Sequence, residues 1–268
     1  MKNRIKSIRK SLIEETNTHG KSVIRVYFIL RFLVILCMVL EFLRGDLNNA
    51  FLCLLSLIMF LMPFFIEEKL KIDLPNTLEI IVLLFIFSAE ILGEINNFYQ
   101  VIPHWDTILH TLNGFLCGAV GFSLVDILNT NSKSVNLSPI FVCLVSFSFS
   151  MTIGVAWEFF EYTADNSFIS TDMQKDKYID TINTVLTDET KTNTVIKYKD
   201  IEYSILYDKD GKEIAKINNY IDIGLHDTMK DLGVNFIGAL VFSIFGYLYI
   251  LNRDKYNFID HFLLKRRT

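Results

Sequence analysis

The chain alternates long apolar stretches with short polar segments, and the apolar stretches set the predicted fold. An α-helix needs about 20 predominantly apolar residues to cross roughly 30 Å of hydrocarbon. Runs of about this length are present near residues 24–43, 47–66, 78–98, 105–128, 138–162 and 226–251. The pattern therefore predicts an all-α integral membrane protein with about six transmembrane helices.

A polar segment, residues 163–224, separates the fifth run from the sixth. Within TVIKYKDIEYSILYDKDGKEIAKI, β-branched and aromatic residues alternate with polar residues, and Asp210 and Gly211 stand between two such runs. An Asp-Gly pair in this position is typical of a β-hairpin. Ile, Val and Tyr are too frequent here for a disordered linker. We expect a small extracytoplasmic α+β insert with a β-hairpin between transmembrane helices five and six.

The composition and the charge pattern agree with a membrane protein. Hydrophobic residues make up 51% of the chain, and the mean hydropathy is +0.35. Lys and Arg lie before the first run, after the last run and in the connections after runs two and four, whereas residues 163–224 hold Lys but no Arg. The positive-inside rule places these segments in the cytoplasm. Both termini are then cytoplasmic, and the predicted organisation is a basic segment 1–23, helices one to five in 24–162, the insert, helix six in 225–252 and a basic tail 253–268.

The basic segments also bear on possible partners. Lys and Arg clusters suit the phosphates of nucleic acids. Beside a membrane span, however, the anionic lipid surface is the expected partner. We therefore expect the chain to contact membrane lipids and not nucleic acid.

Several kinds of catalytic site are disfavoured by the sequence. GxSxG, HExxH and P-loop patterns are absent, and each would have indicated a particular chemistry. Cys37, Cys53, Cys117 and Cys143 lie in different predicted spans, so we expect buried thiols and no disulfide framework. No arginine occurs from residue 45 to residue 252, which gives a predicted outer surface without arginine. A lipid phosphatase that clamps phosphate with arginine is therefore not expected.

Ionisable residues recur in four spans, near the ends that the topology places outside. They are Glu90 and Glu94 in the third span, His104, Asp106 and His110 in the fourth, Glu158, Glu161 and Asp165 in the fifth, and His226, Asp227 and Asp231 in the sixth. A charged residue at the bilayer centre costs about 2.5–3.5 kcal/mol on insertion scales. We therefore expect the polar faces of these helices to line a shared, buried site near the outer face.

The residue types indicate metal chemistry. Imidazole together with carboxylates suits a divalent ion such as Zn, Mn or Mg, and residues four apart share a helical face. The metal ligands on this hypothesis are His110, Glu161, Asp231 and Asp106, and the catalytic groups are Glu158 and Asp227. Such a site would perform metal-assisted chemistry on a lipid or envelope molecule.

Other interpretations of the same residues stay open. Asp106, His104 and His226 also suit helix caps or a wet membrane interface. The carboxylates could equally relay protons in an ion- or proton-coupled transporter, although few polar residues continue to the predicted inner ends. A third hypothesis is a sensor or scaffold whose insert binds an envelope small molecule or protein partner.

Small and polar residues predict close helix contacts. We expect the asparagines to join helices by hydrogen bonds and the glycines to let helices approach closely. The residues concerned are Asn113, Asn235, Gly114, Gly118, Gly121 and Gly238.

Three segments resemble a known family. The segments are YQVIPHWDTILHTLNGF, WEFFEYTAD and GLHDTMKDLGVNFIGA. Together they resemble the uncharacterised bacterial multi-pass membrane protein family typified by the inner-membrane protein YjdF, over about residues 78–250. The resemblance implies a location in the bacterial cytoplasmic membrane and no particular activity. The motif positions that it marks are Asp106, His110, Glu158, Glu161, Asp227 and Asp231. The Asp-x-x-x-His element is also similar to one in VanZ-like membrane proteins.

Overall fold

The computed structural model describes residues 20–131, 136–167 and 172–267. Residues 1–19 of the predicted basic segment 1–23 lie outside the described residues. Five helices are long and apolar enough to cross a membrane, by length and composition: Lys21–Arg44, Leu47–Leu70, Trp105–Thr130, Pro139–Ser167 and Leu225–Leu251. The prediction of an all-α membrane protein with a strand-containing insert is confirmed.

The individual elements are as follows. The helices are α1 (Lys21–Arg44), α2 (Leu47–Met59), α3 (Met62–Leu70), α4 (Asn76–Ile86), a π-helix (Phe87–Ile95), α5 (Phe98–Val101), α6 (Trp105–Asn131), α7 (Pro139–Ser167), α8 (Leu225–Leu251) and a 3₁₀-helix (Asn257–His261). The strands are β1 (Ile72–Asp73), β2 (Lys177–Ile179), β3 (Ile182–Thr184), β4 (Ile196–Tyr198), β5 (Tyr203–Tyr207), β6 (Glu213–Asn218), β7 (Tyr220–Asp222) and β8 (Lys265–Arg266).

The predicted third span, 78–98, has a different form from the other spans. It is built from α4 and the π-helix, and it is not among the five long helices. The wider turns of a π-helix change which carbonyl oxygens have intrahelical partners. The carbonyl oxygen of Ser88, within the π-helix, accepts a hydrogen bond from the Trp105 indole at 3.2 Å. The π-helix is therefore tied to the start of α6.

The end of α1 corrects one detail of the sequence analysis. The helix continues to Arg44 and ends at Gly45, whose φ of 83° is in the left-handed region that favours glycine. Arg44 donates to Glu41 at 2.6 Å, and Asp46 caps α2 by accepting from the Asn49 amide. The helix therefore extends one residue past the predicted boundary at residue 43.

Two compact units make up the chain. One contains the described residues up to Gly154 and those from Val234 onward, and the other is Val155–Gly233. In the first unit, α6 and α8 touch at the level of their backbones. A Cβ atom built on Gly114 would lie 2.1 Å from the Asn235 carbonyl oxygen, and one on Gly238 would lie 2.0 Å from that of Thr111. Substituting either glycine would therefore force the helices apart.

Asparagine side chains reinforce this contact. Asn113 on α6 donates to Asn235 on α8 at 3.1 Å, and Asn235 is almost fully buried. Cβ atoms built on Gly118 and Gly121 would also meet neighbouring side chains, at 3.2 Å and 2.8 Å. The predicted close approach of helices at asparagine and glycine positions is confirmed.

The residues after α8 belong to the first unit and pack against α6 and β1. Leu263 and Leu264 are buried, and the Leu264 amide donates to the Ser123 hydroxyl on α6 at 3.0 Å. Strand β8 pairs antiparallel with β1, and Arg267 donates to Asp73 at 2.7 Å. We call the described residues of this segment, 252–267, the C-terminal clasp, because it joins α6, β1 and the end of α8.

An ion pair holds the start of the clasp. Both carboxylate oxygens of Asp126 on α6 accept from Arg253, at 2.8 Å and 3.0 Å. The same guanidinium lies over the Tyr249 ring, 4.8 Å from its centroid. The sequence predicted a basic tail here, and the side chains of Arg253 and Arg267 are engaged in specific ion pairs.

The second unit holds the strands of the insert. Strands β5 and β6 form an antiparallel hairpin with a bulge at Leu206 and Tyr207. In its turn the Asp208 amide donates to the Lys212 carbonyl, and Gly211 has a φ of 76°. The β-hairpin predicted around Asp210-Gly211 is confirmed. The other strand pairs of the insert are β2 with β7 and β3 with β4, both antiparallel.

Candidate functional site

The start of α6 carries the first candidate pair. Trp105 holds the start of α6 in place, because its indole donates to the Ser88 carbonyl and its ring packs edge-on against Phe98, with the ring centroids 5.1 Å apart. His104, immediately before, is exposed and has a φ of 63°, so the chain turns sharply into the helix. This geometry sets the direction of the first turn of α6.

Asp106 and His110 form a contact on this turn. The Nε2 atom of His110 lies 3.4 Å from Oδ1 of Asp106, as the spacing of four residues predicts. Only 13% of the His110 side chain and 17% of the Asp106 side chain are exposed. A carboxylate beside an imidazole in a shielded position is a common element of metal and proton-transfer sites.

The predicted carboxylates of the third span lie on the π-helix. Glu90 is partly buried and Glu94 is exposed. Tyr99 packs on Gly93, since a Cβ there would lie 2.4 Å from the Tyr99 ring. Glu90 and Glu94 belong to the first unit, as do Asp106 and His110.

The second unit contains the predicted carboxylates of the fifth span. Glu158 and Glu161 on α7 are both buried. One oxygen of Glu161 accepts from the Trp157 indole at 2.8 Å, which fixes the orientation of that carboxylate. The same turns of α7 also expose large aromatic side chains, those of Phe159 and Phe160. Buried acid and exposed aromatic surface therefore alternate around this end of the helix.

The predicted residues of the sixth span lie in the first turns of α8. Asp227 and Asp231 are buried, and Asp231 accepts from Lys230 at 3.2 Å. Carboxylates in the first turn of a helix are favoured by its dipole. His226 is 60% exposed and pairs with Asp222, which also accepts from the His226 amide at 2.8 Å. The expectation that His226 suits a helix end agrees with this geometry.

Asp227 is engaged by the insert. One of its carboxylate oxygens accepts from the Lys175 amide and the other from the Lys177 ammonium group, each at 3.0 Å. Sequence reasoning did not single out Lys177, Gln174 or Asp222. Asp222 lies four residues before His226, a spacing that could have indicated its contact, whereas no local spacing relates Lys177 to Asp227.

The chemistry of the donors fits a divalent metal. In the first unit Asp106 and His110 offer a carboxylate oxygen and an imidazole nitrogen, and in the second unit the buried Asp231 offers a carboxylate oxygen. Nitrogen and oxygen donors of this kind suit Zn, Mn and Fe, and the carboxylates also suit Mg. By residue type and burial, these side chains could hold such an ion.

The helices and the polar groups buried among them define a class of protein: a multi-pass membrane protein with several carboxylates withdrawn from solvent. A family model described as "Predicted membrane protein (DUF2238)" matches residues 25–191, more than half of the chain, and the chain belongs to this family. This finding confirms the resemblance to the YjdF-like family.

A related protein is known from Thermotoga maritima. It is described as "Uncharacterized protein" and is 27% identical over 113 residues, which is 42% of this chain and 57% of the Thermotoga protein. The match thus spans little more than half the length of that relative. No solved structure matches the chain.

Proposed function

We propose that the protein binds a divalent metal ion and uses it in chemistry on a membrane lipid or another envelope molecule. The proposed ligands are His110, Asp106, Glu161 and Asp231. The observation that carries the proposal is the contact between Asp106 and His110, two side chains of types that ligate metals, one helical turn apart and largely withdrawn from solvent.

The burial of the acidic residues supports this proposal. Ionised carboxylates are costly to bury unless they are paired or coordinate a metal. Glu161 and Asp231 are both buried, at 8% and 2% exposure. A divalent cation would offset part of the desolvation cost of such carboxylates, and buried carboxylates are therefore expected of a metal site.

The remaining acidic residues have separate proposed roles. A bound divalent ion would act as a Lewis acid on a carbonyl or phosphoryl oxygen of the substrate. Glu158, which is buried on the same helix as Glu161, is our candidate for the general base that accepts a proton. We assign Asp227 to anchoring the insert, because both of its carboxylate oxygens accept hydrogen bonds from it.

The proposed substrate class follows from the surface of α7. Trp157, Phe159 and Phe160 are exposed on the turns that carry Glu158 and Glu161. Aromatic side chains of this kind are enriched at membrane–water interfaces. A substrate that reaches these acids from the interface would be a lipid or another amphipathic envelope molecule. From the charge pattern we propose that this end faces out of the bacterial cytoplasmic membrane, with both termini inside.

The contact between α6 and α8 favours an enzyme over a transporter. A transport pathway needs polar space that continues through the bundle. At Gly114 and Gly238 the two helices are in backbone contact, which leaves no polar space between α6 and α8 at that level. We therefore prefer chemistry at one membrane face to movement of a solute across it.

The metal content of the purified protein tests the proposal. Wild type, His110→Ala and Asp231→Ala are purified in detergent, loaded with Zn or Mn, desalted and measured by inductively coupled plasma mass spectrometry. We expect close to one ion per chain in wild type and a loss of most of it in both variants.

A matched control is His226→Ala. His226 also pairs with an aspartate four residues away, but its side chain is 60% exposed. This variant should retain the metal. Wild type without metal after loading would contradict the metal hypothesis, and equal loss in the control would show that the effect is not specific to the proposed ligands.

A further inference from the structure

Residues 173–177, which we call the strap, cross from α7 to α8 within the second unit. Their first contact is with Asp165 near the end of α7. One carboxylate oxygen of Asp165 accepts from the Met173 amide and the other from the Gln174 amide, each at 2.9 Å. Hydrogen bonds from backbone amides to a carboxylate are charge-assisted and are about twice as strong as neutral ones. The start of the strap is therefore fixed to α7.

The second contact of the strap is with Asp227 on α8. The Lys175 amide and the Lys177 side chain each donate to this carboxylate at 3.0 Å. Asp227 is only 5% exposed, so its charge requires these partners. Lys177 also begins β2 and pairs in register with Asp222 of β7, three residues before α8 begins. The end of the strap is therefore fixed to α8.

The side chain of Gln174 links the two helices directly. Its Nε2 group donates to the Thr228 hydroxyl on α8 at 2.7 Å and to the Glu158 carbonyl on α7 at 3.4 Å. Gly224 makes room for it, since a Cβ built there would lie 2.6 Å from the Gln174 Cβ. Gly224 also has a φ of 87°, which disfavours any other residue.

We propose that the strap is a positioning element and that Gln174 is the positioning residue that sets the spacing of Glu158 and Asp231. Gln174 holds the backbone of Glu158 on one helix and Thr228, one turn before Asp231, on the other. Functional side chains must be held within about 0.5 Å of their working geometry by their surroundings. This inference rests on the proposed function for its effect on metal affinity, whereas the strap itself can be tested without a metal.

The test compares Gln174→Met with wild type in the full chain. Methionine has a similar length but donates no hydrogen bond, so it removes the link with little change in volume. The matched control is Gln100→Met, at an exposed position of α5. Hydrogen–deuterium exchange reports on the strap, and isothermal titration with Mn or Zn reports on the proposed site.

We expect protected amides at residues 173–175 in wild type. In Gln174→Met, exchange should speed up across the end of α7 and the start of α8. The metal dissociation constant should rise by more than about twofold, because Gln174 holds Thr228, one turn before the proposed ligand Asp231; this is less than the roughly 10–100-fold that follows loss of a partner bonded to a ligand itself. Gln100→Met should change neither quantity.

The other outcomes separate the two proposals. If wild type binds no metal, the proposed function fails, and the exchange data alone decide whether the strap links the helices. If residues 173–175 exchange as fast as an open loop in wild type, the strap is refuted. If Gln174→Met speeds exchange but leaves metal affinity within twofold, the link is structural and the positioning role is refuted.

Discussion

Replacing Gly238 with alanine tests the backbone contact between α6 and α8. The new Cβ would lie 2.0 Å from the Thr111 carbonyl oxygen, whereas ordinary van der Waals contact begins at 3.4 Å. The obstacle is backbone, which cannot rotate away as a flexible side chain can. The two helices must therefore separate by up to about 1.4 Å at this level, or the chain must distort around the added carbon.

The cost follows from the packing that this shift would disturb. Inserting a methyl group into a closely packed interior costs about 1–3 kcal/mol. Separating the helices would also stretch the 3.1 Å hydrogen bond between Asn113 and Asn235, and such bonds in membrane proteins contribute about 0.6 kcal/mol on average. We therefore expect Gly238→Ala to lower the free energy of unfolding by about 2–3 kcal/mol.

The assay is equilibrium unfolding in mixed micelles of dodecyl maltoside and sodium dodecyl sulfate, followed by tryptophan fluorescence. The control is Gly233→Ala on the same helix, where a Cβ would have no described atom within 4 Å. Alanine there should leave stability unchanged or raise it by up to about 1 kcal/mol through helix propensity. If the two variants unfold within about 0.5 kcal/mol of each other, the backbone contact at Gly238 is refuted.

Three further predictions concern other contacts. A double-mutant cycle with Asn113→Ala and Asn235→Ala should give a coupling energy of about 0.6 kcal/mol and not above about 1.7 kcal/mol; zero coupling in micelle unfolding would mean that the side chains do not pair. Arg253→Met should cost about 1–3 kcal/mol in the same assay, because it leaves the Asp126 carboxylate without the guanidinium nitrogen that donates to both of its oxygens, and an unchanged midpoint would contradict that pairing. Asp176 is exposed, and partial desolvation, followed by the charges of Asp172, Asp222 and Asp165, raises the pKa of its carboxyl above the usual 3.8. Ionised Asp176 therefore destabilises the fold, so Asp176→Asn should raise the melting temperature at pH 7, and this gain should disappear as the pH falls towards 3.8; a gain that persists at low pH would exclude a charge effect.

Local sequence patterns predicted the elements that depend on local chemistry. The apolar runs located the five long helices because length and hydrophobicity alone decide which segments can cross a bilayer. The Asp210-Gly211 pair located the hairpin because its turn requires a positive φ at Gly211. The contact between Asp106 and His110 followed from their spacing of four residues.

Features that depend on distant contacts were not predictable in this way. The division of the third span into α4 and a π-helix involves a bond from Trp105 to Ser88, 17 residues apart. The composition of the clasp predicts only a basic tail, because it does not reveal that Arg267 meets Asp73. Lys177 lies 50 residues before Asp227, so no periodicity relates them. The assignment of individual metal ligands stays a prediction.

The pairing of β1 with β8 sets an order of events during synthesis. Ile72 pairs with Arg266, so the first strand of this sheet is made 194 residues before its partner. At translation rates of about 5–20 residues per second, β1 waits roughly 10–40 s for β8. During that time all the described membrane-spanning helices can insert, while Asp73 lacks the arginine that it binds in the finished protein. The clasp therefore forms only after the last helix is in place, and a ribosome stalled before residue 265 would leave a membrane-inserted chain whose sheet is incomplete.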